Sequence, residues 1–91
     1  MQPLLYCPNP RSLVIKAMPF GSSPSDKQAC YDWVSQFTKC LLTDYGTLRI
    51  FTPRGYFEAK PDDMVCQIAN SPNTFFVVSN SDFMSNFESL S

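Results

Sequence analysis

Residues 50–65, IFTPRGYFEAKPDDMV, constrain the fold most, because two alternating segments flank a turn that leaves the chain little choice but to reverse. Leu48, Ile50 and Thr52 alternate with Thr47, Arg49 and Phe51, the two-residue period of a half-buried strand. Pro53 presets φ for a turn and Gly55 tolerates positive φ, so Thr52-Pro53-Arg54-Gly55 predicts a tight reversal. Beyond it Phe57 and Ala59 fall on one face, Tyr56 and Glu58 on the other. Pro61 cannot donate to a ladder and Asp62 and Asp63 can bond their own backbone, so Lys60-Pro61-Asp62-Asp63 should break the strand before Met64 resumes it.

The remaining chain supplies cover for this hairpin. Residues 1–10 hold three prolines and no periodicity, which predicts an irregular arm packed loosely through Leu4, Leu5 and Tyr6. Residues 13–20, LVIKAMPF, are apolar on both faces apart from Lys16, suiting a strand inside a sheet whose ladder ends at Pro19. Ser23 is placed to cap a helix, with Pro24 at its first position and Asp26 in its first turn. Across residues 24–42 the apolar positions Ala29, Cys30, Trp33, Val34, Phe37, Cys40 and Leu41 form one stripe at helical spacing, which predicts a single long helix closed by Gly46. Trp33 is its largest anchor; the functional alternative is a Trp in an open groove stacking a ligand base.

Residues 64–69 read as a further strand, Asn70-Ser71-Pro72-Asn73 as a four-residue hairpin connection, and residues 74–79 as the returning strand. Ser79 or Ser81 before Asp82, with Phe83 and Phe87 four apart, predicts a short terminal helix. The expectation is an irregular arm over residues 1–10 and one α+β domain over residues 11–91, with a mostly antiparallel sheet of four or five strands, a long helix on one face and a short C-terminal helix. Its core is expected to hold Val14, Ile15, Trp33, Phe37, Leu48, Ile50, Phe57, Ile68, Phe75, Val77, Phe83 and Phe87.

Seven basic and eight acidic residues, scattered singly, give no electrostatic footprint for sequence-independent nucleic-acid binding or for an anionic membrane. No apolar run approaches the roughly 18–20 residues that span a bilayer, and the first residues lack a signal peptide's pattern, so a cytoplasmic protein is expected. Cys7, Cys30, Cys40 and Cys66 have no CxxC spacing and no histidine beside them, which argues against a metal centre. On one helix Cys30 and Cys40 would lie about 15 Å apart, too far for a disulfide. The four thiols are therefore read as small hydrophobes, with a reactive thiolate as the sharper alternative.

The order of motifs resembles a family of small proteins encoded by tailed bacteriophages and prophages, the PGDYG type. Its members carry a strand of the form K-P-V-V-I-E-A-x-x-F, a Trp-bearing helix, then I-x-T-x-x-G-x-x-x-A-x-P-G-D-x-I and a Phe- and Tyr-rich ending. Arg11 through Phe20 is similar to the first part and Asp32-Trp33-Val34 to the helical part. Ile50, Thr52, Gly55, Ala59, Pro61, Asp63 and Val65 match the middle motif, and Phe75, Phe76, Phe83, Phe87 and Glu88 the last. The chain departs where Asp62 replaces the Gly of P-G-D, where Asn73-Thr74 replaces G-E, and over residues 77–81. The resemblance implies a phage-borne accessory protein acting in the host cytoplasm, and little chemistry.

Glu58, Asp62 and Asp63 form the one acidic cluster, and Arg49 and Arg54 lie near Phe51 and Tyr56 on the central hairpin. Arginine interleaved with aromatics suits a protein interface or a small phosphate ligand. Without histidine or a nearby lysine base, no serine or cysteine is set up as a nucleophile. The leading expectation is a non-enzymatic protein, without cofactor or metal, that binds and blocks a host protein or protein complex as an inhibitor of host defence. A nucleotide-sequestering protein and a minor virion or assembly protein are the alternatives. Phe51 and Tyr56 on an outer face, with a free strand edge, also suit a homodimer.

Overall fold

A computed structural model describes residues 3–8 and 14–89. In chain order the elements are β1 (Leu4–Pro8), β2 (Ile15–Pro19), α1 (Pro24–Ser35), β3 (Cys40–Leu42), β4 (Leu48–Thr52), β5 (Gly55–Ala59), β6 (Met64–Ile68), β7 (Ser71–Val78), α2 (Asn80–Asn86) and β8 (Phe87–Ser89). Their class is α+β, but the strands divide between two antiparallel sheets where a single sheet was expected: five strands in the order β7-β6-β2-β1-β8, and three in the order β3-β4-β5.

Strict alternation gives the larger sheet two covered faces. Ile15 and Ala17 of β2 and Met64 and Cys66 of β6 point to one side, where Phe83 of α2 seals them. Met18, Val65 and Phe75 point to the other, against Cys30, Trp33 and Val34 of α1 and against Leu48, Ile50 and Ala59 of the smaller sheet. The larger sheet is thus the middle layer, with α2 below and α1 and the smaller sheet side by side above. Trp33 meets Phe75 edge to face at 5.4 Å between ring centroids, an arrangement worth about 0.5–1.5 kcal/mol beyond the area it buries.

Both helices start as their sequences require. The Ser23 hydroxyl accepts from the Asp26 amide at 3.2 Å and the Ser79 hydroxyl from the Asp82 amide at 3.3 Å, each relieving a donor with no partner inside the helix. The long helix expected over residues 24–42, however, stops at Ser35. The Phe37 and Thr38 amides both bond to the Val34 carbonyl, ending the helix in a tightened turn, and Cys40–Leu42 then runs extended beside β4. The apolar phase of Phe37, Cys40 and Leu41 is helical by coincidence; β4 offers Cys40–Leu42 a ladder, which a further helical turn would forfeit. Gly46 does take positive φ, +81°, as the tip of the β3–β4 hairpin and not as a helix stop.

The N-terminal segment is likewise no irregular arm where it is described. Pro3 and Pro8 bracket Leu4–Pro8 at its limits, leaving an interior able to pair with β2 on one side and β8 on the other. Residues 1–2 and 9–10 of the expected arm, and Leu13 at the start of the strand expected over residues 13–20, lie outside the described residues. At the next junctions the hairpin at Pro53-Arg54 forms as expected, and Lys60-Pro61-Asp62-Asp63 does more than bend a strand: it carries the chain from the smaller sheet to the larger. The Asp62 amide donates to the Phe20 carbonyl and the Phe20 amide to the Asp63 carbonyl, both at 2.8 Å, so the crossover is stitched to the end of β2.

The β6–β7 connection also differs from a four-residue loop. Ile68 pairs with Ser71 but Gln67 pairs with Phe75, so Pro72, Asn73 and Thr74 bulge out with no residue opposite them. Gln67, buried among apolar neighbours, donates its amide to the Pro72 carbonyl at 2.7 Å and holds the bulge in shape.

Two residues expected in the core are exposed. Val14 precedes β2 and is 40% exposed, because the sheet's cover begins only at Ile15. Phe57 is 42% exposed although it shares a face with buried Ala59, because the inner face of the β4–β5 hairpin there borders a cleft. Ile15, Trp33, Leu48, Ile50, Phe75 and Phe83 are buried, while Phe37, Ile68, Val77 and Phe87 pack half-buried around them.

Candidate functional site

The β4–β5 register sets the side chains of the smaller sheet's outer surface. Phe51 lies opposite Tyr56, Arg49 opposite Glu58, and Leu41 of β3 opposite Arg49. Because each is one residue out of phase with buried Leu48, Ile50 and Ala59, the whole row turns away from the core. The rings of Phe51 and Tyr56 meet at 6.1 Å, tilted by 59°. Arg49 places its guanidinium carbon 4.5 Å from the Tyr56 ring centre while its Nε and Nη2 donate to one oxygen of Glu58 at 3.2 and 3.0 Å. Lys39, just before β3, sets its ammonium 5.8 Å from the Phe51 ring.

This row contributes little to folding. Arg49 and Glu58 are each about one third exposed, and pairs so placed stabilise by roughly 0–1 kcal/mol. Its consequence is order: flat rings and a guanidinium are held in fixed orientation at the surface, so less rotamer freedom is lost when something docks.

The other candidates separate from this face. Arg54 sits at the hairpin tip, beside a cleft of about 430 Å³ bounded by Phe51 and Phe57 on the hairpin, Thr38 after α1, and the β7 bulge with Phe75 and Phe76. Asp62 and Asp63 belong to the crossover. The Asp63 carboxylate accepts from the Lys60 amide at 3.0 Å, and Asp62 takes φ of 78°, so both serve the turn, while Glu58 pairs with Arg49 on the outer face. Among the described residues no three His, Cys, Asp or Glu side chains converge as metal ligands would.

Lys39 and Leu41 join the face unannounced, because sequence periodicity had placed both on a helix. Asn73 and Thr74 reach the cleft through a bulge that only pairing with β6 reveals. Ser71-Pro72-Asn73 was the available signal, since proline inside a strand marks an edge or a bulge.

The thiols take no part in either place. Burial pushes the Cys66 thiol up to about 12; burial first, and Cys40 second, do the same to Cys30. Burial also raises Cys40, so all three stay protonated near neutrality. Cys40 proves not to share a helix with Cys30, yet both are free thiols. The Cys7 side chain lies outside what is described.

No family model, curated protein or solved structure matches this chain.

Proposed function

We propose that this chain is a non-enzymatic accessory protein, of the phage-borne kind its motifs resemble, that binds a host protein in the cytoplasm and blocks it by covering its surface. The observation that carries this reading is the ordered row Lys39, Phe51, Tyr56, Arg49 and Glu58 on the outside of the smaller sheet. Tyrosine and arginine are the side chains most enriched where protein interfaces concentrate their energy, and here both are presented together and pre-ordered. Lys39 and Arg49 against a single Glu58 leave the row cationic, which favours a partner surface with acidic residues at its rim.

Capture from host lysate tests it when paired with a surface variant. The wild-type chain is expected to retain one partner near stoichiometry, and Arg49→Ala with Tyr56→Ala to lose it while melting like wild type. A partner held equally by both chains, or none at all, would contradict the reading.

A further inference from the structure

The cleft beside the hairpin tip has its own chemistry, although Phe51 of the outer row also borders it. Its volume of about 430 Å³ falls within the roughly 300–1,000 Å³ of small-ligand sites. Phe57 and Phe75 supply aromatic wall from two sheets, and Trp33 backs Phe75 edge-on, fixing that ring; Phe51, whose ring packs on Tyr56, and Phe76, which packs toward the other face of the larger sheet, complete the lining.

Its polar groups are few and unequal. Thr38 and Thr52 commit their hydroxyl protons to the Phe51 and Gly55 carbonyls, and Thr74 shares a hydrogen bond with Ser71. Among the described residues, the Arg54 guanidinium and the Asn73 carboxamide have no partner. One unpaired fork of donors fits one phosphate or carboxylate bidentately. A carboxamide offers a donor and an acceptor side by side, the complement of a heteroaromatic edge carrying the same pair. Asn73, in the lining, lies on the bulge that buried Gln67 clamps, so a hydrogen bond from the core fixes the backbone at the rim.

We propose that this cleft binds a nucleoside monophosphate, with the base against the phenylalanine wall, the base edge read by Asn73 and the single phosphate held by Arg54. One guanidinium and no second cation in the lining set the ligand at one phosphate, not two or three.

Isothermal titration of the full chain with AMP, GMP, CMP and UMP tests this, with the parent nucleosides and inorganic phosphate as separate arms. At least one monophosphate is expected to bind in the micromolar range, with its nucleoside and free phosphate each about 10-fold weaker or more. Arg54→Ala and Phe57→Ala alter exposed side chains and should each weaken binding about 10-fold with melting unchanged. Tyr45→Ala, exposed in the β3–β4 turn and outside the lining, should leave it intact. Four monophosphates without heat up to millimolar concentration, phosphate alone binding as tightly as the nucleotide, or wild-type affinity in both the Arg54 and Phe57 variants would overturn the proposal.

Discussion

Asp62 shows how much one side chain's backbone can reveal. Its φ of 78° lies in the left-handed region, where any residue with a Cβ is strained and aspartate less than most. Asp62→Gly should therefore stabilise the fold, by about 0.5–1 kcal/mol in urea denaturation, despite glycine's added freedom when unfolded. A loss of stability would show that the aspartate's own contacts outweigh the strain. The buried thiols give a second prediction at this scale. Cys30 and Cys66 have folded values raised to about 12 from an ordinary 9.0, so the unfolded chain releases their protons first as pH rises. Their contribution is whole below pH 9 and fades towards pH 12. Stability should fall across that alkaline window, and substituting both with Ala or Val should flatten the fall; an unchanged profile in the double variant would refute the assignment.

Among elements, α1 carries the heaviest single anchor. Trp33, 8% exposed, joins the helix to Phe75 on the larger sheet and to the cluster around Leu48 and Ile50 on the smaller. Trp33→Ala should cost on the order of 3–5 kcal/mol, read as a shift in denaturant midpoint; a cost below about 1 kcal/mol would mean the helix is not the keystone described. The start of this helix was legible because Ser23, Pro24 and Asp26 act locally, through bonds three residues away. Its end was not. Whether Cys40 to Leu42 coils or extends depends on Leu48 to Ile50 being alongside, a fact periodicity within the segment cannot carry. The β4–β5 hairpin shows the contrast: its turn chemistry and both strands lie within a dozen residues, and the pairing of Thr52 with Gly55 follows. For the same reason Arg49, Phe51 and Tyr56 were placed together from sequence, while Arg54 was grouped with them, Glu58 with Asp62 and Asp63, and Lys39 and Asn73 with neither.

At the scale of the whole molecule, two sheets take the place of one because the crossover at residues 60–63 ties to Phe20 instead of folding β6 back onto β5. That choice hides Met18, Val65 and Phe75 under α1 and, among the described residues, leaves the outer face of β3-β4-β5 with no layer above it. The uncovered layer is also the one that presents Arg49 braced between Tyr56 and Glu58. Folding needs little from these three side chains, so their value should appear when a partner arrives. The direct measurement is the dissociation constant of the captured partner for wild type and for Tyr56→Ala, taken with both melting curves. A central interface tyrosine worth about 2 kcal/mol predicts an affinity roughly 30-fold weaker with the melting temperature held. Equal affinity for the two chains would contradict the account.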